Sequence, residues 1–273
     1  MTATTLAVPE RSGRGAGPVR RSFPLARHSA ALAVRSLIKT WRTPEALIDV
    51  TLQPAIFLLI FVYIFGGAVS GSTHDYLQFL LPGVLGQTIA MGAVAIGVNL
   101  NTDISKGVFD RFRAFPIPRL APLLGAVLGD VVRFVVVIIS TLVMGYIMGF
   151  RIHGSVLGAV GGSLLAVLFG LCLSWISVVV GLAVRTSGAV QGILFLILMP
   201  LSFASNVFVQ PGTLPGWMQG FVKVNPLTHL VGAVRALYLG QPADNHVLWT
   251  LACCAGFVVI FMPLALRAYR RKV

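Results

Sequence analysis

Apolar and polar positions divide most of the chain into six long hydrophobic runs, at 46–69, 76–100, 123–150, 156–184, 190–209 and 246–266. A helix needs about 20 apolar residues to cross roughly 30 Å of hydrocarbon, so each run predicts a membrane span. The third and fourth are longer than that, which predicts tilt or interfacial ends. Between the second and third runs the pattern turns amphipathic. Read as a helix over 104–115, this stretch puts Val108, Phe112 and Phe115 on one face and Lys106, Asp110 and Arg113 on the other. Asp103 is its candidate N-cap. Pro116 ends it, because proline disfavours the α conformation in the residue before it. Whether the apolar face meets membrane or a partner is left open by the pattern.

Before the first run, 25–43 is also helical in pattern. Ala30, Val34, Leu37 and Trp41 line one face, with Arg35, Lys39 and Arg42 roughly opposite. A basic face beside a tryptophan suits an interface helix on the inner membrane surface. It binds anionic lipid alone or also frames a partner's docking site. Residues 1–24, with four arginines among Gly, Pro and Ser and no apolar core, predict a disordered basic cytosolic tail. Residues 267–273 form a second basic tail. Between the fifth and sixth runs, Pro211-Gly212 and Leu214-Pro215-Gly216 are turn signals. They predict two short extracellular helices within 211–240. Asn225-Pro226 divides the pair, with Pro226 in the first turn of the second helix. Re-entrant helices dipping into the outer leaflet are one reading of them. The fold class is therefore all-α integral membrane protein.

Composition agrees: 56% of the residues are hydrophobic and 11% charged, against about 25% charged in an ordinary soluble domain. The formal charge of +13 invites a nucleic-acid reading, but its distribution excludes one. With the N-terminus inside, 17 lysines and arginines fall on the cytosolic side and three, Arg151, Lys223 and Arg235, outside. That asymmetry places both termini in the cytosol. Cys172, Cys253 and Cys254 all sit in apolar runs and read as small buried hydrophobes, not as a disulfide framework or a metal site.

Charges inside hydrocarbon are costly and therefore informative. Asp130 and Arg133 share a face of the third span and either neutralise each other or face a substrate. Asp49 lies near the cytosolic end of the first span, where it is interfacial or binds a cation. Gln53, Gln87, Asn99, Gln191 and Asn206 bond between helices or line a path. Tyr63, Phe65, Phe195, Phe203 and Phe208 suit either packing or contact with a flat apolar ligand. The candidate substrate path comprises Asp49, Gln53, Tyr63, Gln87, Asn99, Asp130, Arg133, Phe203 and Asn206.

The sequence contains no Gly-x-x-x-x-Gly-Lys-Ser/Thr phosphate loop, no His-Glu-x-x-His and no Gly-x-Ser-x-Gly. An intramembrane lipid-modifying enzyme would need a nucleophile paired with a base, and no such pair stands at a meaningful spacing. Any active transport must draw its energy from another chain.

The residues from Asn101 to Ile117, from Leu201 to Met218, Val224-Asn-Pro-Leu-Thr-His-Leu and Val234-Arg-Ala-Leu resemble the ABC-2 type permeases. So do Asp49-Val-Thr, Phe65-Gly-Gly-Ala and Gln78-Phe-Leu-Leu-Pro-Gly. Within that family the chain is most similar to the membrane subunits of actinobacterial daunorubicin/doxorubicin-resistance exporters. The resemblance covers nearly everything after residue 40. It implies a permease subunit in the plasma membrane that works with a second permease copy or paralogue and a separate ABC ATPase. ATP and Mg would bind that ATPase, leaving this chain without cofactor or metal. It also implies a coupling helix within 103–119, docked through Asp103, Lys106, Gly107, Asp110, Arg111, Phe112, Arg113 and Pro116. The expected cargo is a hydrophobic or amphipathic drug or natural product; a lipid or lipid-linked glycan is the alternative.

Overall fold

The computed structural model describes residues 44–67, 71–107 and 121–272, with side chains over 51–67, 71–107 and 123–271. The tail 1–24, the interface helix with Arg35, Lys39, Trp41 and Arg42, and Asp110, Arg111, Phe112, Arg113 and Pro116 of the coupling segment lie outside the described residues. So does the side chain of Asp49.

The described residues are helical, without strands. Helix α1 (Pro44–Ile60) continues through a π-helical turn (Phe61–Phe65). It is followed by α2 (Thr73–Ser105), α3 (Ala121–Gly129), α4 (Val131–Met148), α5 (Val156–Ala183) and α6 (Ser187–Phe203). A 3-10 turn (Pro211–Thr213) leads to α7 (Gly216–Val224), α8 (Pro226–Leu239) and α9 (His246–Lys272). Four helical stretches are long and apolar enough to cross a membrane: Thr73–Ser105, Leu123–Met148, Val156–Ala183 and His246–Arg271. The other two expected spans contain shorter apolar helices, Thr51–Phe65 and Ser187–Phe203.

Local chemistry sets the helix ends. The Ser72, Ser155 and Thr186 hydroxyls accept from the backbone amides of Asp75, Gly158 and Ala189, capping α2, α5 and α6. Gly149 and Gly240 take left-handed backbone angles after α4 and α8, where a Cβ would be strained. Two expectations need correction. Asp103 does not cap a helix starting at 104, because α2 runs unbroken to Ser105; Gly107, at φ 68°, ends it. The third span keeps close to its expected extent, Leu123–Met148, with one irregular residue at Asp130, whose amide reaches Val127 O at 3.3 Å. The fifth helix stops at Phe203 rather than 209, and 204–209 is irregular.

Helices α2 and α5 form the centre of the bundle, with α6, α8 and α9 packed around them and α4 joining α1 to α2. The core contains Leu80, Leu85, Ile89, Phe134, Phe169, Leu173 and Tyr238, all essentially inaccessible. Contacts between helix ends give the running directions. At one end Asn101 near the close of α2 donates to Gly181 O and Val184 O at the close of α5, at 2.9 and 2.8 Å. At the other end the start of α2 meets the residues after α6, through Tyr76 Oη donating to Phe208 O at 3.1 Å. The loop before α5 reaches α8 there too, through the His153 and Gly154 amides donating to Tyr238 O. Successive long helices therefore alternate in direction, as a multi-pass chain requires.

The α2–α5 contact depends on the absence of side chains at two positions. A Cβ on Gly97 would lie 2.5 Å from Ser177 O, and one on Gly181 would lie 2.6 Å from Gly97 O. Both obstacles are backbone, which cannot rotate away. Small residues that let backbones approach are the usual means of packing helices in lipid, where the hydrophobic effect gives no drive. Gly97→Ala or Gly181→Ala is expected to cost about 1–3 kcal/mol through overpacking, read as a lower Tm of the purified protein. Gly192→Ala, with nothing within 4 Å of its Cβ, should leave Tm unchanged.

Candidate functional site

The irregular stretch after α6 is where the bundle gathers its polar contacts. It begins because Asn225, before α8, takes two carbonyls away from the helical ladder. Its side-chain amide donates to Leu201 O and Ala204 O, each at 2.7 Å. Its side-chain oxygen accepts from the Leu227 amide at 2.9 Å, capping α8 ahead of Pro226. One asparagine thus ends α6 and starts α8.

Arg235 fixes the same stretch from the other end of α8. Its Nε donates to Phe79 O at 3.1 Å, and one terminal nitrogen donates to Asn206 O at 3.0 Å. Its Cζ lies 3.8 Å from the centroid of the Phe79 ring, a cation–π distance. No carboxylate among the described residues pairs with it. Arginine suits this position because its planar fork reaches two acceptors while stacking on a ring. Helix α8 itself is mostly buried, against α2, α5 and α9. The backbone at 204–209 also sits close on α2: a Cβ on Gly83 would meet Val207 O at 2.6 Å.

Beside these contacts runs a chain of phenylalanine rings. Phe57 stacks on Phe61 at 5.7 Å, and Phe61 meets Phe65 at 5.3 Å. Phe61 stacks on Phe208 at 4.6 Å, and Phe208 on Phe203 at 5.3 Å. The exposed ends are Phe65 and Phe203, at 43% and 54%. The π-helical turn at Phe61–Phe65 adjoins them; such turns are frequent at functional sites. Close by in sequence, Ser202 Oγ and Asn206 Oδ1 are buried without a hydrogen-bond partner among the described residues.

Of the path residues read from the sequence, the structure brings Phe203 and Asn206 to this place. Gln87 is buried in the middle of α2, whereas Gln53, Tyr63 and Asn99 face outward. Asp130 is buried at the α3–α4 break, and the nearby Arg133 has a buried Nε with no partner among the described residues. The set does not form one cluster. Asp103, Lys106 and Gly107 stand at the opposite end of α2, with Lys106 exposed. The sequence pattern marked Asn225 only as a helix breaker and Arg235 only as one of three outer charges. A usable signal existed: Val231, Val234, Arg235 and Tyr238 share one helical face, and the apolar members of that stripe mark it as buried.

Residues 28–239 match the family model described as ABC-2 type transporter. The chain belongs to the ABC-2 type transporter family. It is 45% identical over 238 residues to the daunorubicin resistance ABC transporter permease protein DrrB1 of Streptomyces coeruleorubidus, covering 87% of this chain and 84% of that protein. It is 33% identical over 202 residues to the doxorubicin resistance ABC transporter permease protein DrrB of Mycobacterium tuberculosis, covering 71% and 70%. A putative transport permease, ycf38 of Cyanophora paradoxa, is 27% identical over 220 residues, covering 80% and 76%. This ABC-2 chain is a membrane protein and a transport permease, consistent with its apolar helices.

Removing the Arg235 side chain takes a donor from two part-buried carbonyls of the ABC-2 fold and loses the stack on Phe79. Unmade bonds of this kind cost about 1–3 kcal/mol each. Arg235→Gln should therefore lower Tm substantially. Arg235→Lys should recover little, since a single ammonium cannot keep both bonds and the stack. Asn225→Ala should show a comparable loss. Thermal unfolding of the purified variants checks all three.

Proposed function

We propose that this chain is the membrane subunit of an ATP-driven exporter of amphipathic, aromatic drugs or natural products, energised by a separate ABC ATPase. The observation that carries the reading is the 45% identity, over most of both chains, to a permease named for daunorubicin resistance. The absence of a phosphate loop from the sequence fits an external ATPase. The alternating helix directions fit six spans, with α1 and α6 completing the four longer ones. The 17 to three distribution of basic residues fits cytosolic termini in a plasma-membrane protein.

In this reading the 103–119 segment is the coupling element, seated against the ATPase, and 25–43 frames that contact at the membrane surface. A second permease copy or paralogue completes the translocation unit. ATP-driven closure of the two ATPases changes the angle between the spans, and cargo moves outward because its affinity differs between the two arrangements. The exposed rings of Phe65 and Phe203 offer a flat apolar cargo stacking partners. An anionic inner leaflet concentrates a cationic cargo beforehand.

Cells co-expressing the chain and its ATPase should accumulate less of a planar cationic drug than cells with the ATPase alone. That difference should vanish when ATP is depleted. Arg113→Glu and Asp110→Lys should abolish efflux while the complex still assembles. Phe203→Ala should reduce efflux of the planar drug several-fold, and Phe203→Trp should retain it. Absence of ATP-dependent efflux across a panel of amphipathic drugs would overturn the substrate reading; normal pumping by the charge-reversed variants would overturn the coupling assignment.

A further inference from the structure

A pair of histidines lies away from the aromatic chain, where α8 meets the start of α9. His229 Nδ1 and His246 Nδ1 are 3.2 Å apart. His229 Nε2 is 2.9 Å from Lys223 O. A carbonyl only accepts, so Nε2 carries the proton, and in the neutral ring Nδ1 is left with a lone pair facing His246. Backbone carbonyls fix metal-binding imidazoles in this manner, holding one nitrogen so that the other presents its lone pair. The rings are also held in place. Trp249 stacks on His229 at 5.4 Å and 12°. Gly232 makes room for His246, since a Cβ there would lie 2.9–3.0 Å from three of its ring atoms.

Without metal, His246 Nδ1–H donates to the His229 lone pair; we propose that the two rings form a binding site for a divalent transition metal, coordinated through both Nδ1 atoms once the His246 proton has moved to Nε2. Two nitrogens bound to one ion at about 2.0–2.1 Å in tetrahedral geometry stand roughly 3.3 Å apart, close to the separation seen. Both rings lie in the first turn of a helix, α8 and α9 respectively, where the helix dipole opposes added positive charge. Metal binding requires the ligating nitrogens to be free of protons, so uptake is expected to weaken as pH falls. The same helix ends oppose the metal's own charge, so binding is expected to be moderate. No group of three or more His, Cys, Asp or Glu stands together among the described residues. The remaining positions therefore go to water, which suits an exchangeable site rather than a permanent structural one. His246 is only half-buried and gives the ion a way in. Bound metal would fasten α8 to α9 directly. The proposal rests on this local geometry and is independent of the transport reading.

The test uses the full chain in lipid nanodiscs, with any affinity tag removed, titrated with Cu²⁺, the tightest binder of the divalent series. Wild type should take up one equivalent, with an electron paramagnetic resonance spectrum showing two nitrogen ligands, and its Tm should rise. His246→Gln and His229→Gln should each weaken binding at least tenfold and remove the metal-dependent rise in Tm. Replacing the other three histidines, His28, His74 and His153, together by glutamine should change neither. Should His229→Gln fail to fold, the half-buried His246→Gln and the nitrogen count in wild type still decide. No stoichiometric Cu²⁺ uptake by wild type, a single-nitrogen spectrum, or undiminished binding by folded His246→Gln would overturn the assignment.

Discussion

A guanidinium held among backbone carbonyls is the constraint on which one end of this bundle depends. Arg235 has no carboxylate partner among the described residues, so two carbonyls and the face of Phe79 balance its desolvation. The carbonyls belong to different parts of the chain, one in α2 and one in the irregular stretch after α6. Satisfying one side chain therefore fixes three elements relative to one another. Asn225 adds the second fixed point by ending α6 and capping α8. Between them they allow a non-helical stretch to exist inside an apolar bundle. Unsatisfied backbone is otherwise excluded from such surroundings.

The aromatic chain follows from that arrangement. Phe208 is buried and sits between Phe61 and Phe203 because the backbone at 204–209 leaves the helical path and lies against α2 at Gly83. Had α6 continued to 209, as the apolar pattern alone suggests, Phe203 and Phe208 would lie on an ordinary helix at a spacing of five residues. They would point in different directions. The rings stack where two polar side chains, on and beside α8, hold the irregular stretch in place.

What the sequence made legible was whatever rests on local rules. The fourth run, expected at 156–184, is a helix over Val156–Ala183, because its start is capped by Ser155 and its interior is uniformly apolar. Helices α7 and α8 divide at Asn225-Pro226 because an asparagine cap and a proline in the first turn act within a few residues. What escaped were effects that act at long range. The end of α6 is decided by Asn225, more than 20 residues later in the chain. The irregularity at Asp130 lies inside a run whose hydropathy gives no warning of it. Arg235 looks like any loop cation until α8 is seen packed against three helices. The family relationship, by contrast, was readable from collinear motifs spread along the chain.

An end of the bundle held together by one cation and one asparagine is a place where opening has a defined molecular meaning. Loss of those carbonyl bonds would free the stretch that carries Phe208. Hydrogen–deuterium exchange on wild type and Arg235→Gln in the same lipid tests this most directly. The account predicts that amides in 201–210 and 226–239 lose protection together in the variant, while those in the middle of α5 keep theirs. Unchanged exchange in both segments would contradict it, as would a uniform loss throughout the bundle.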